Sequence, residues 1–368
     1  MTVRAHTFAA NSSQPSKPVR FSVDGWDTGY GPAVEFEDLA ESHAQVDTTI
    51  EVSAAQWAPV PPTRPDTESK DLLFADGVRR IDARVWIDDT AASQSPTADL
   101  AVAGICASYA AGVVCCCGEG AHALGIEVRR GLFTAAATGS HIDMGADRYV
   151  FHRVMPAPDL PIAVSLTNAL QRALTELEIA AAVHVRALVS NHGVDEHNLL
   201  VVDGPLRGRA HLPRTVGYVK THHAQYLPTA LNAVVAALTP GERTPIFVIG
   251  TGWERYSWYL RLPCMPAGPW AGIVRLEAAP TLDLPEAVTL AAASQNLLGR
   301  FASVEYKEAR APQNLVPIAG LEKELRHRLG DASLLYRDIR AAAMRNDTRM
   351  AAVGALPARS ARLGDSVR

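Results

Sequence analysis

One stretch limits the possible folds more than any other: Leu199-Leu200-Val201-Val202, followed at once by Asp203-Gly204-Pro205. Four consecutive apolar residues, two of them β-branched, suit a strand buried on both faces. Gly-Pro then turns the chain. A carboxylate where a buried strand meets a turn is costly to desolvate unless something pairs with it. Capping the turn is the ordinary role of an Asp in that position, and chemistry is the other. Downstream, Val216–Val219 reads as a second short strand, delivering Lys220 and the pair His222-His223.

The chain has 368 residues, 48% apolar and 20% charged, enough for a sizeable core in one elaborated α/β domain or two. No basic leader followed by an apolar run opens it, and no segment reaches the roughly 20 apolar residues that span a bilayer, so a cytoplasmic protein without a membrane partner is expected. The net charge of −4 argues against a generic polyanion binder. Its distribution is uneven: residues 1–70 hold 5 Lys/Arg against 10 Asp/Glu, and residues 300–368 hold 13 against 8. That asymmetry is compatible with nucleic acid meeting one face only. Cys115-Cys116-Cys117 cannot all face one ion from a strand, because neighbours point opposite ways, and no CxxC pair exists. Small core residues in a reducing compartment are expected instead, and no structural zinc.

Residues 1–70 read as an acidic, partly disordered arm, a candidate docking element containing Trp26 and Trp57. From Asp71 a long strand or hairpin is expected, kinked at Asp76-Gly77, with Ile81, Ala83 and Val85 on one face and Arg80, Asp82 and Arg84 on the other. Strands over 100–117 and 125–133 follow, then a helix over 165–188 with Leu166, Leu170, Leu174 and Leu177 on its buried stripe. Glu176 and Glu178 lie about 100° to either side of Leu177, so only one of them can point at the sheet. Later elements are a helix over 227–238, a strand over 246–250, an antiparallel pair over 258–262 and 272–277, and helices over 285–299, 321–329 and 333–345. Residues 346–368 read as a flexible basic tail. Neither a phosphate-binding glycine loop nor HExxH is present.

The order strand-Asp76, helix-Glu176 or Glu178, strand-Asp203 is the arrangement a ribonuclease-H-like nuclease uses to hold two divalent cations. Converging carboxylates repel one another unless cations neutralise them. All-oxygen donors suit Mn²⁺ or Mg²⁺. Segments 74–85 (FADGVRRIDARV), 174–182, 199–222 (LLVVDGPLRGRAHLPRTVGYVKTH), 256–263 with 270–277, and 306–331 resemble the NurA family of DNA-repair nucleases, in particular its bacterial branch. The resemblance implies an RNase-H-like mixed sheet flanked by helices over residues 71–345, with the N-terminal arm and C-terminal helices around it. It implies a metal-dependent nuclease acting on DNA ends with two Mn²⁺ (or Mg²⁺) ions. It also implies a homodimer partnered by a HerA-type hexameric DNA translocase, in repair or in defence against foreign DNA. Residue by residue, metal ligation falls on Asp76, Glu178 (Glu176 as the alternative) and Asp203.

Two departures from the family stand out. Its Asp-Gly-Ser reads Asp76-Gly77-Val78 here, and its C-terminal His is absent, which leaves Asn314, Glu322 or His327 as substitutes. A weakly active or inactive adaptor that docks on the translocase is the alternative reading. Lys220 is expected at the scissile phosphate, or else solvated. Arg261 and Arg275, on strands rich in Trp258, Tyr259 and Trp270, are expected to line a DNA groove with Arg310, Gln313 and Asn314, against a competing reading of core packing with an ion pair.

Overall fold

The architecture is built around one long strand. In the computed structural model, which describes residues 40–63, 71–88, 101–137, 139–145, 147–191, 198–250, 252–265 and 267–354, Leu72–Asp88 forms β3. Among the described residues two short strands precede it, β1 (Ala40–Glu41) and β2 (Gln45–Asp47). Then come β4 (Ala101–Cys117), β5 (Gly120–Thr134), β6 (Ile142–Asp143), β7 (Arg148–Arg153) and helix α1 (Ile162–Asn191). The second half holds β8 (Leu199–Asp203), β9 (Thr215–Val219), β10 (Ala224–Gln225), α2 (Thr229–Ala237), β11 (Phe247–Gly250), β12 (Glu254–Arg261) and β13 (Ile273–Ala278). Helices α3 (Leu284–Leu298), α4 (Val316–Arg328) and α5 (Ala332–Gly354) close the described chain.

Eleven strands form one mixed sheet in the order β2-β11-β12-β13-β9-β8-β3-β4-β5-β7-β6. β8 pairs in parallel with both β3 and β9, and β5 with β7; the other pairs are antiparallel. The expected α/β class, a large mixed sheet flanked by helices, is what the chain forms.

Alternation along β3 and β8 decides what each face meets. Leu72, Phe74, Leu199 and Val201 join a core with Leu321 and Leu325 of α4 and Leu290 of α3. Leu73, Ala75, Leu200 and Val202 turn the other way, against Ala182 and Val185 of α1. The sheet centre is therefore sandwiched, which explains why β8 is apolar without interruption. The stripe on α1 continues as expected through Leu166, Leu170, Leu174 and Leu177, all buried.

Several expectations change. β3 carries no kink at Gly77, which pairs in register with Ala111; the irregularity falls between Ile81 and Ala83. Consequently Asp82 has its side chain wholly inside, accepting from Ser108 Oγ (2.6 Å), Tyr149 OH (2.8 Å) and Arg80 Nε (2.8 Å), while Ile81 is exposed. Part of the supposed arm belongs to the domain. β2 is an edge strand of the sheet, Trp57 is buried, and Glu51 accepts from Arg243 (2.7 and 2.8 Å) and the Ile246 amide. β7 lacked a sequence signal because only Tyr149 of its six residues is buried. Residues 1–39, with Trp26, and the last part of the tail, 355–368, lie outside the described residues. No helix among the described residues is long and apolar enough to cross a membrane.

The turn after Asp203 rests on glycine twice. Gly204 has a φ of +87°, a conformation that L side chains rarely adopt. A Cβ on Gly217 of β9 would meet the Leu206 backbone nitrogen at 2.5 Å and the Gly204 carbonyl at 3.1 Å. Gly217→Ala should therefore lower the unfolding free energy by about 1–3 kcal/mol, read from urea denaturation. An unchanged midpoint would show that the turn can move away freely.

Candidate metal centre

Register alone brings two carboxylates together. β3 and β8 run parallel with Leu72 beside Leu199 and Ala75 beside Val202, so the next residues, Asp76 and Asp203, stand side by side where β8 ends. Both continue the alternation that faces α4. From that helix Glu322 completes a trio: one oxygen each of Asp76, Asp203 and Glu322 lie within 4.8 Å of one another.

The trio is held in place by ordinary means. Asp76 is buried and accepts the Gly77 amide, at 2.7 Å on Oδ1. Asp203 Oδ2 accepts from Lys220 Nζ at 2.7 Å, and that ammonium also donates to Asn314 Oδ1 at 3.0 Å. Glu322 accepts from Arg310 at 2.8 and 2.9 Å and from Arg326 at 3.1 Å. Two carboxylate oxygens, Asp76 Oδ2 and Asp203 Oδ1, are buried without any hydrogen-bond partner. Such orphans are expensive unless a bound group satisfies them.

Electrostatics point the same way. Burial, then the Asp203 charge, pushes Asp76 well above the usual carboxylate range; Lys220 opposes this, while Glu322 and Glu178 add to it. Burial likewise works to raise Glu322, but the Arg310 guanidinium outweighs it and holds that carboxyl below its ordinary value. A hard divalent cation fits this donor set: it is all oxygen, is short of positive charge at Asp76, and has two orphan lone-pair sites.

The helical carboxylate sits differently. α1 turns Glu178 toward the cleft and leaves Glu176 exposed to solvent. Glu178 reaches the α1 face of Gly77, where a Cβ would lie 2.6 Å from its Oε1. The missing side chain of Gly77 makes room for it. Glu178 is ion-paired with Arg209, and burial raises its pKa against that partner. It therefore shares the cleft with the trio but approaches from the other face of the sheet. The cleft measures about 890 Å³, and Arg79, Arg207 and Arg326 line it with exposed side chains.

Other expected residues fall elsewhere. Arg261 and Arg275 do not line a groove: they are only 9% and 5% exposed. Arg261 donates to the carbonyls of Ala236, Pro269 and Ala271. Arg275 pairs with Glu277 at 3.1 Å and lies over the Tyr226 ring at 4.6 Å. Trp258 and Tyr259 are in the core, and Trp270 packs edge-on against Tyr259, so the competing reading describes these strands. Arg310 is committed to Glu322 and Glu308. Gln313 is buried and its carbonyl accepts from Tyr218 OH at 2.7 Å, Asn314 is buried beneath Lys220, and His327 is exposed.

Sequence reasoning missed Glu277. Buried on β13, it takes Arg255 (2.8 Å) and Arg275 and accepts the Leu206 amide at 3.0 Å, which fixes the turn that carries Asp203. Its only sequence signal was a charge inside an apolar strand. Arg207 and Arg209 flank Gly208 within residues 199–222, but nothing local separates the exposed one from the buried one.

His222 flanks the site rather than joining it. It donates from Nε2 to the Ile273 carbonyl at 3.2 Å between the Tyr259 and Trp270 rings, and burial depresses its pKa to about 4. Kept neutral in the fold but free to protonate when unfolded, it contributes stability that is fully present above about pH 6.5 and is lost as pH falls toward 4, at most about 3 kcal/mol. Between those limits the stability of His222→Asn should depend less steeply on pH than that of the wild type, by up to one proton. Equal slopes in acid denaturation would refute this.

Fold and cleft together define a mixed α/β protein with a carboxylate cluster where β8 ends beside the parallel β3. Among solved structures it is similar to the NurA nuclease from Sulfolobus solfataricus, at 9% identity and a TM-score of 0.38, over 80% of this chain and 88% of that one. No protein-family model matches the sequence, and no curated protein matches it.

Proposed function

We propose that this cleft is the cation-dependent active centre of a DNA nuclease. The observation that carries the reading is the trio of Asp76 and Glu322, both buried, with half-buried Asp203, and two orphan carboxylate oxygens beside a lysine. These three residues would hold Mn²⁺ or Mg²⁺, and Glu178, which lines the same cleft, is the candidate ligand for a second ion. Bound there, divalent ions supply charge for the phosphoryl oxygens and acidify a water nucleophile. Glu322 takes the place left by the missing C-terminal His. Lys220 holds the Asp203 carboxylate and lends positive charge where a phosphate oxygen would approach. Arg79, Arg207 and Arg326 replace Arg261 and Arg275 as the contacts for a DNA backbone, giving the acidic floor a basic rim despite the net negative chain.

The sequence resemblance extends the proposal to a homodimer fed by a HerA-type hexameric translocase, in repair or in defence. A second reading, a docking adaptor without catalysis, draws support from the internal cations. Lys220, Arg209 and Arg310 already pair with Asp203, Glu178 and Glu322. Calorimetric titration with Mn²⁺ separates the two, since an adaptor should neither bind the ion tightly nor degrade DNA.

Asp76→Asn and Asp203→Asn should each lower Mn²⁺-dependent degradation of end-labelled linear DNA about a hundredfold or more, the loss of several kcal/mol of charge stabilisation, while circular dichroism stays unchanged. Glu322→Gln should weaken Mn²⁺ binding more than Glu178→Gln does. Wild-type cleavage rates in both Asp variants would sink the assignment, and the reverse order for the Glu variants would move the centre toward α1.

A further inference from the structure

Strand alternation does more with the three consecutive cysteines than bury them. Cys116 packs against the α3–α4 face of the sheet, with Leu72 and Phe74. Cys115 and Cys117, two apart on β4, turn to the α1 face with Leu73, Ala182 and Val185. The β4–β5 hairpin, closed by Gly118-Glu119, pairs Cys117 with Gly120 and Cys115 with His122. The hairpin thus folds an imidazole back over two aligned thiols. One ligand atom from each of Cys115, Cys117 and His122 lies within 4.8 Å of the others, and Cys117 Sγ is 3.9 Å from His122 Nδ1.

We propose that Cys115, Cys117 and His122 form a second metal site, for a soft or borderline cation of the Zn²⁺ class. The donor types decide the ion, because two thiolates and an imidazole favour zinc over the hard cations that the acidic cleft would take. The spacing decides feasibility. Tetrahedral zinc, with Zn–S near 2.3 Å and Zn–N near 2.05 Å, needs an S···N separation of about 3.6 Å and an S···S separation of about 3.8 Å. The 3.9 Å found between Cys117 and His122 is within a small side-chain adjustment of that value.

Strand register offers a candidate for a fourth donor. Carrying the β3–β4 register one step past Leu72–Cys116 sets Asp71 beside Cys117, in phase with Leu73 and therefore on the same face. This site is distinct from the acidic centre. Asp71, just before β3, and Asp76 are five residues apart along extended chain, about 17 Å, and Cys115 and Cys117 occupy the face opposite Asp76. Its position points to a structural role, in which one ion ties the turn end of the hairpin to the residue that leads into β3, on the α1 face.

The test uses the full chain, purified after growth with zinc, and its cobalt-reconstituted form. Elemental analysis should find one equivalent of zinc. Cobalt should give the near-ultraviolet absorption of thiolate ligation, which an all-carboxylate centre cannot produce. That absorption should vanish in Cys117→Ser and weaken at least tenfold in cobalt affinity in His122→Ala. It should survive in Cys116→Ser and in Asp76→Asn. Cys117 is half-buried and His122 exposed, so circular dichroism should confirm that both variants fold. Chelation should lower the thermal midpoint of the wild type but leave that of Cys117→Ser unchanged. Absence of the thiolate absorption, its persistence in Cys117→Ser, or its loss in Cys116→Ser would each overturn the proposal.

Discussion

The parallel, in-register pairing of β3 with β8 is the constraint on which the candidate site depends. It sets Asp76 and Asp203 next to each other inside the protein, where two carboxylates repel and neither is well solvated. Much around the pair can be understood as an answer to that repulsion. Lys220 is drawn to Asp203, Arg310 and Arg326 to Glu322, and Arg209 to Glu178, while burial holds Asp76 toward its neutral form. The compensation stops short at the two orphan oxygens, which is the feature a bound cation would explain.

A second layer keeps this geometry in place. The Asp203 turn is held by the Leu206 amide on Glu277, and Glu277 is itself neutralised by Arg255 and Arg275. Buried charge of this kind is poor evidence for stability, since desolvation offsets much of the attraction. Its use here is positional: a buried carboxylate with two guanidiniums has few alternative partners, so the turn has few alternative places. Arg275 thus acts on the site without touching it.

Much of this was legible along the chain. The uninterrupted apolar run of β8, the stripe on α1 and the paired β12 and β13 follow from hydrophobic periodicity, a local property. Asp203 stood out because a charge ends a buried strand. The errors share one cause. Arg261 and Arg275 looked like groove residues because a sequence cannot show which face of a strand is covered, and β12 and β13 are covered on both. Gly77 looked like a kink, whereas its missing side chain admits Glu178, a demand made by a helix about a hundred residues away. The proposed cysteine–histidine site has no local signal, because the hairpin that brings His122 across Cys115 and Cys117 is a pairing, not a pattern.

By itself, then, the sequence determined the α/β class, the main strands and helices, and the candidacy of Asp76, Asp203 and one of the pair Glu176 and Glu178, because periodicity and turn chemistry are written into neighbouring residues. Only the tertiary structure decided that Glu322 joins Asp76 and Asp203, that Glu178 is turned to the cleft and Glu176 to solvent, and that Glu277 anchors the turn. Those choices depend on which helix covers which face of the sheet. That is set by burial summed over the whole core, so no local run of residues records it.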